Sequence, residues 1–580
     1  MPAMPNRPRS MKIRLPCRVC RAGMVTLLAA CFVSVFSVEA AAAPTPAQRS
    51  AQAATKAATP TAKSKRAEAK KEQKPRPAPR VVTMAPSLPA QLKASLDTAL
   101  NDPALDGAQV SFVAIDLDDG TLLADSGGDS LINPASNAKL ITSAAALDAL
   151  KPEYRFKTEY YVQGTLRDGT LNGNLVVKGF GDPTIVSERM MKVVNELSLF
   201  GIERITGGII VDDTFFDSVE EARGWELEDA PDRAYAAPVS ALMANYNAVA
   251  IYVRPAAEAG RPAIVKVDPP TDTVTLNAAL STELLGRGMR VVSDKRGTAH
   301  DVDGTVITVE GSISVREAPF RIYRRVWDPA RHFGATLLTF LEQRGVKVGR
   351  RSITKAAVPA GARLVLVDRS EALSEVVADL NHYSNNIIAE TLIKTIGAEV
   401  MGAPGTFDNG LLVARRYLED KVGLQAGSYV FNNGSGLNDV NRFTARQLVR
   451  LLGTITRDYE LSTEYTTSLA VAGTRGTIGF RMKDTPARRR LRAKTGTLQG
   501  VSALSGYVVQ PNGHVVAFSI LSQGFKHGAS SVWKVQNAIG AAFASAGTWR
   551  PQGEEPSEEE ALSSLGTASR PVEPALGGAP

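Results

Sequence analysis

Gln109-Val110-Ser111-Phe112-Val113-Ala114-Ile115-Asp116 alternates apolar and polar positions, turns at Asp118-Asp119-Gly120 and resumes at Thr121-Leu122-Leu123-Ala124. The pattern predicts a hairpin. After Asn133-Pro134-Ala135-Ser136 the spacing changes, and Leu140, Ile141, Ala144, Ala145, Leu147 and Leu150 mark an apolar helix with proline at its start. Further helices are predicted over Leu373 to Leu380 and through Ile387, Ile388, Leu392 and Ile393. Near the other end, Leu491 to Thr497, Val501 to Val509 and His514 to Leu521 read as strands, the last two joined at Gln510-Pro511-Asn512-Gly513. A helix over Ser530 to Ala544 follows, with Val532, Val535, Ile539, Ala542 and Phe543 on its apolar side. A sheet assembled from both ends implies that the middle is inserted. The expected fold class is therefore α/β (α+β), an antiparallel sheet flanked by helices with inserted β-rich domains. Residues 87–155 and 366–549 form the discontinuous main domain, and 156–365, rich in short strands and turns such as Asp301-Val302-Asp303-Gly304, form two nested insertions.

The ends of the chain are of different character. Arg7, Arg9, Lys12, Arg14, Arg18 and Arg21 precede an apolar run from Met24 to Val38 and the small residues Ala40 to Ala43. That order reads as a secretory signal peptide over residues 1–43, cut near Ala41 to Ala43, and predicts an exported protein of the bacterial periplasm. The run is shorter than the ~20 apolar residues of a spanning helix. Leu28-Ala29-Ala30-Cys31 resembles a lipoprotein box, but the apolar run continues through Phe32 to Phe36, so anchoring at Cys31 ranks second. Cys17, Cys20 and Cys31 all lie in this leader, so the mature chain offers no disulfide, thiolate metal site or cysteine nucleophile.

Residues 44–86 read as a disordered basic linker and 550–580 as a disordered acidic tail. The leader carries six basic residues against one acidic, the linker to Arg80 ten against two, and the tail after Arg550 one against six. Removing these segments from the formal net charge of +8 leaves residues 81–550 neutral. Nucleic acid as a partner is thereby excluded, because the basic excess does not belong to a folded face. The linker allows peripheral contact with membrane or wall, and as a solvated spacer it needs no partner.

Candidate chemistry lies in three strings, Ser136-Asn137-Ala138-Lys139, Ser384-Asn385-Asn386 and Lys494-Thr495-Gly496-Thr497. Ser-x-x-Lys alone is weak, since roughly two occurrences are expected by chance in a chain of this length. Ser352-Ile353-Thr354-Lys355 lies in a strand-like stretch, where residues three apart point to opposite faces. Ser531-Val532-Trp533-Lys534 opens the terminal helix after the other strings have passed. Ser136 opens a helix ahead of both partners, which puts Lys139 one turn later on the face of the hydroxyl. A serine hydroxyl needs a base, and lysine serves only when neutral. Burial and a second cation, for which Lys494 is the candidate, favour that form. A helix N-terminus favours negative charge on the serine oxygen. Taken singly, Ser384 reads as a helix cap and Lys139 as a surface lysine. Lys494 and Gly496 would share one strand face, with Gly496 letting a substrate backbone lie close.

Together the strings resemble the penicillin-recognising serine peptidases and β-lactamases. More of the chain narrows this to the low-molecular-mass class C penicillin-binding proteins, the D-alanyl-D-alanine carboxypeptidase and endopeptidase family. The resemblance runs from Gln109 to Phe543 and includes Gly181-Asp182-Pro183-Thr184, Asp328-Pro329, Asn386-Ile387-Ile388-Ala389-Glu390, Asn433-Gly434-Ser435-Gly436-Leu437 and Ala472-Gly473-Thr474-Arg475-Gly476-Thr477. Ser136 and Ser384 are 248 positions apart, and compact relatives have far shorter gaps. Phe180 stands where the family usually has glycine, and Asn432 where aspartate is common.

The resemblance implies a penicillin-binding transpeptidase/β-lactamase-like domain whose Ser136 attacks a terminal D-alanyl-D-alanine bond of peptidoglycan stem peptides. It makes Lys139 the base and passes a proton to the leaving D-alanine through Ser384 and Lys494. It has Asn386 position the substrate amide and Lys139, and places the oxyanion hole at the N–H groups of Ser136 and Thr497. Thr495 and Thr497 would hold the terminal carboxylate beside Gly496. β-Lactam antibiotics would acylate Ser136 as covalent inhibitors, and neither cofactor nor metal is called for. Alternatives are a serine β-lactamase and a catalytically silent peptidoglycan-binding scaffold. A Ser-His-Asp hydrolase finds no Gly-x-Ser-x-Gly, and His300, His332, His382, His514 and His527 have no motif around them.

Overall fold

The computed structural model describes residues 79–298 and 302–546. The expected leader, most of the linker and the tail lie outside these residues. The described chain divides into two compact units, one of Ala135–Asn441 and Thr454–Ala470, the other of Pro77–Pro134, Arg442–Gly453 and the residues from Val471 onward.

The second unit holds the sheet drawn from both ends of the chain. Its strands run in the order Thr83–Met84, Leu122–Ser126, Gln109–Asp116, Val515–Gln523, Val501–Val509 and Leu491–Leu498 (β1), each antiparallel to its neighbour. The predicted hairpin forms with Ala114 opposite Ala124, and a register shift lets the chain turn before Leu122. Helix Ala529–Ala544 packs on Val501–Val509 and against helix Ala90–Leu100, burying Val532, Val535, Ile539 and Phe543. Val501–Val509 is buried along all but its last residue, with Ser502 and Ser505 buried among its apolar residues.

The first unit carries the helices of the first two strings. Helix Ala138–Leu150 (α1) packs against Leu373–Tyr383 (α2) and Asn386–Met401 (α3). Residues Ala138 to Leu147 are all buried, because α1 is covered on every side. The chain between α1 and α2 builds its own layers. Strands Lys157–Arg167 and Thr170–Gly179 form a hairpin that Ile209–Asp212 extends in parallel, and helices Ser187–Leu199 and Pro329–Arg344 cover the resulting sheet with Val193, Leu197, Phe333 and Leu337 in the core. Asp328 caps the second of these helices by accepting from Arg331 N–H, Pro329 fills its first turn and Gly345 ends it in the left-handed region, so Asp328-Pro329 is a helix start. A separate cluster, including Val249, Ile251, Leu280, Ile307 and Val309, fills two three-stranded sheets.

The segment that follows α1 lies in the same compact unit as α1, α2 and α3. The segment between α1 and α2 belongs with the helices, and hydrogen bonds tie it there: Asn386 Nδ2 donates to the Tyr235 carbonyl at 3.0 Å and Lys394 Nζ to the Val219 carbonyl at 2.7 Å. Helix spacing carries no trace of these backbone partners. Strand Ile353–Lys355 pairs in parallel with Ile209–Asp212, as the rejected Ser352–Lys355 string requires.

Phe333, fully buried between helix and sheet, tests this core. Phe333→Ala is expected to cost about 3–5 kcal/mol and to lower the calorimetric midpoint. An unchanged midpoint would remove Phe333 from the core.

Candidate active site

Ser136 lies in a single 3₁₀ turn, Ala135–Asn137, and the α-helix proper starts at Ala138. The turn follows Pro134, and Ala135 before the serine takes a φ of 45°. Ser136 therefore sits ahead of α1, where its N-terminal dipole acts. Gly436 closes on this turn: its φ is 72°, and a Cβ there would stand 1.9 Å from the Ala135 carbonyl oxygen. Only glycine fits both conditions.

Lys139 is completely buried, and its Nζ reaches Ser136 Oγ at 3.0 Å, Asn386 Oδ1 at 2.7 Å and the Ser435 carbonyl at 2.5 Å. Two of these partners are pure acceptors. The Asn386 amide is oriented by its own far side, since Nδ2 donates to the Tyr235 carbonyl and so turns Oδ1 toward the lysine. A neutral lysine has two N–H groups and one lone pair. When Asn386 and Ser435 take the two N–H groups, the lone pair is left facing the Ser136 hydroxyl. Burial brings the Lys139 pKa down to about 7, and the Glu390 carboxylate opposes that shift. The arrangement can accept the hydroxyl proton, and the resulting ammonium keeps an acceptor for each N–H.

The loop that supplies the Ser435 carbonyl is held on every side. Glu390, also fully buried and four residues after Asn386 on α3, accepts from Ser435 N–H at 2.7 Å and Gly434 N–H at 3.2 Å. Thr142 Oγ1 donates to the Gly434 carbonyl at 2.7 Å, and Gly436 N–H donates to Asn433 Oδ1 at 2.8 Å. Burial pushes the Glu390 carboxyl up, against the hydrogen bonds it accepts from Ser435 and Gly434. The departure at Asn432 has a local reason: its Nδ2 donates to the Val440 carbonyl at 3.0 Å, which an aspartate could not do. Phe180 packs its ring 5.2 Å from that of Phe215, with Lys157 Nζ 4.1 Å from its centroid.

Ser384 ends α2 in the left-handed region, at φ 58°. It is not the cap of the following helix. Asn385 takes that role, accepting from Ile387 and Ile388 N–H at 2.9 and 3.1 Å. Asn386 becomes the first residue of α3 and points to Lys139.

Lys494, Thr495, Gly496 and Thr497 lie in succession on β1 in the second unit. Lys494 is completely buried, pairs in register with Ser505 and donates to the Thr495 carbonyl at 2.9 Å. Thr495 Oγ1 bonds Thr477 Oγ1 at 2.8 Å, and Thr497 is exposed. The Ala472–Thr477 string is thus the neighbour of β1 that holds its threonine. The first unit brings Ser136, Lys139 and Asn386 together directly. Sequence reasoning gave no role to Glu390, Ser435, Tyr235 or Thr477. A glutamate inside the apolar run of α3 was the available signal for the first. The backbone carbonyls of Ser435 and Tyr235 have no side-chain signature. Of the histidines, His332 is a core residue on Thr273 and His514 pairs with Asp116 at 2.8 Å, which accounts for both structurally.

Residues 92–545 match the D-Ala-D-Ala carboxypeptidase 3 (S13) family. The D-alanyl-D-alanine carboxypeptidase of Actinomadura sp. (strain R39) is 36% identical over 473 residues, which cover 79% of this chain and 85% of that protein. The D-alanyl-D-alanine carboxypeptidase DacB of Haemophilus influenzae is 26% identical over 429 residues, covering 73% and 87%. The crystal structure of penicillin binding protein 4 from Haemophilus influenzae superposes with a TM-score of 0.66 at 22% identity, over 77% of this chain and 97% of that one. A structure of the same protein complexed with a β-lactam gives 0.61 at 21% identity, over 78% and 98%. The likeness shows a shared fold, the one expected from the ordered strings. By a match that spans both units and a relative of this identity and coverage, the chain belongs to the D-Ala-D-Ala carboxypeptidase 3 (S13) family.

Proposed function

We propose that this protein is a serine-type D-Ala-D-Ala carboxypeptidase of peptidoglycan stem peptides, working through an acyl-enzyme on Ser136. The observation that carries the reading is the buried Lys139 amine, 3.0 Å from Ser136 Oγ and held by two fixed acceptors. Membership of the family supports it, and the β-lactam complex of the Haemophilus influenzae protein supports β-lactams as covalent inhibitors.

In this reading Lys139 takes the hydroxyl proton as Ser136 Oγ attacks the carbonyl of the D-alanyl-D-alanine bond. Charge develops on the carbonyl oxygen, which the Ser136 N–H receives. The C–N bond breaks, and the departing D-alanine takes up a proton. Thr495 and Thr497, beside Gly496, hold the terminal carboxylate. Water then hydrolyses the ester and restores the serine. A β-lactam opens its ring in the same first step but keeps its leaving group tethered, and the second step is slow.

The family role of Ser384 fits its backbone. Asn385, not Ser384, caps the start of α3. Export to the periplasm rests on the basic, apolar and small-residue order of residues 1–43. The basic residues up to Arg80 suit peripheral contact with an anionic wall or membrane surface.

Labelled penicillin should form one covalent adduct on the purified mature protein, and the protein should release D-alanine from pentapeptide. Ser136→Ala and Lys139→Ala are expected to abolish adduct formation at unchanged thermal stability. An adduct that survives Ser136→Ala would identify another nucleophile, and one that survives Lys139→Ala would remove that residue as the base. Mass spectrometry of the exported protein should find its N-terminus just after the Ala40 to Ala43 stretch. A lipid-modified Cys31 as the first residue would contradict the cleavage site.

A further inference from the structure

Glu390 is a carboxylate with no exposed surface, placed in the first half of a largely buried helix. Burying an anion costs several kcal/mol unless hydrogen bonds or a cation compensate. Its oxygens accept from Gly434 and Ser435, on the loop whose next carbonyl meets Lys139. It stands four residues after Asn386, so one face of α3 presents both groups toward α1. The helices around Lys139 also carry Asp148 on α1, Glu375, Asp379 and His382 on α2 and Lys394 and Glu399 on α3, and the Glu390 charge is the one that opposes the effect of burial on it.

We propose that Glu390 is a positioning residue for acyl transfer, acting in two ways through Lys139. Its carboxylate anchors the 434–435 amides so that the Ser435 carbonyl occupies one lysine N–H, and its charge stabilises the ammonium formed when Lys139 takes the Ser136 proton.

The first action follows from the peptide geometry. Each peptide group from 433 to 436 is fixed at both ends: the Asn433 carbonyl by Asn441 and Gly434 N–H by Glu390, the Gly434 carbonyl by Thr142 and Ser435 N–H by Glu390, the Ser435 carbonyl by Lys139 and Gly436 N–H by Asn433. Releasing Glu390 frees two consecutive N–H groups and with them the orientation of the carbonyl that follows. Without that acceptor the neutral amine can turn an N–H toward Ser136, where it needs its lone pair. The second action is electrostatic. A fixed negative charge in a dry site favours the protonated product of the base and resists loss of its proton.

The inference rests on Ser136 as nucleophile and Lys139 as base, so labelling of wild-type protein at Ser136 comes first; its failure would end the functional reading, whereas the comparison below tests Glu390 alone. Dissociation constants for the initial β-lactam complex and rate constants for acylation are measured across pH for wild type, Glu390→Gln and Thr142→Val. Glu390→Gln is expected to leave the dissociation constant unchanged, to lower the acylation plateau and to move the acid limb down by on the order of one pH unit, equivalent to a tenfold change in the proton equilibrium. The sign follows from the charge: without the anion Lys139 gives up its proton more readily and stays active to lower pH, but it is a weaker base at the plateau. Thr142→Val loosens the same loop without changing charge and should lower the plateau with the limb in place.

A Glu390→Gln limb that stays where the wild-type limb lies, a full plateau, or a change confined to the dissociation constant would overturn the proposal. So would a Thr142→Val limb that moves as far as that of Glu390→Gln. If Glu390→Gln does not fold, Glu390→Asp, which keeps the charge but withdraws it by one methylene, should lower the plateau without moving the limb. A full plateau in Glu390→Asp would overturn the positioning role.

Discussion

A lysine amine without access to water, surrounded by three oxygen atoms, is the constraint on which the site depends. Lys139 would be ammonium on the surface and useless as a base. Burial makes the neutral form available, with a pKa of about 7, and the two obligate acceptors at Asn386 and Ser435 decide where its lone pair points. Desolvation supplies the protonation state and hydrogen bonding supplies the direction. Either alone would leave the Ser136 hydroxyl without a usable base.

Much of the first unit holds those three oxygens in place. Ser136 is brought to Lys139 by a 3₁₀ turn against which Gly436 lies too closely for any side chain. Asn386 is set by Asn385 capping α3 and by the Tyr235 carbonyl taking the other end of its amide. Ser435 is set by Glu390, Thr142 and Asn433. The segments involved lie far apart in sequence, so their closure costs chain entropy that the packed helices and the core around Phe333 must offset. The long segment between Ser136 and Ser384 therefore does more than separate two motifs. Its Tyr235 carbonyl orients the asparagine that meets Lys139.

Patterns with a short period were legible in the sequence. The hairpin at Gln109–Ser126, the three strands after Leu491 and the helix at Ala529–Ala544 follow from alternation, turn residues and apolar spacing, and their ends fall within a few residues of expectation. The Ser136–Lys139 pair was legible because residues three apart on a helix start share a face. Other features had no local signal. Ser384-Asn385-Asn386 offers three good capping residues in a row, and the choice of Asn385 depends on where α2 ends in the left-handed region. The acceptors from Ser435 and Tyr235 are backbone atoms that any residue type could provide. The hydrogen bonds from Asn386 and Lys394 to carbonyls of the inserted segment likewise leave no mark on composition.

The most direct test of the account is the titration of Lys139 itself, read from the 15N resonance of its Nζ in the intact protein and assigned by its loss in Lys139→Ala. The account predicts a midpoint of about 7, with the neutral amine populated above it. A midpoint near the ordinary lysine value of 10.5 would mean that the buried amine is held as ammonium and that some other group takes the proton from Ser136.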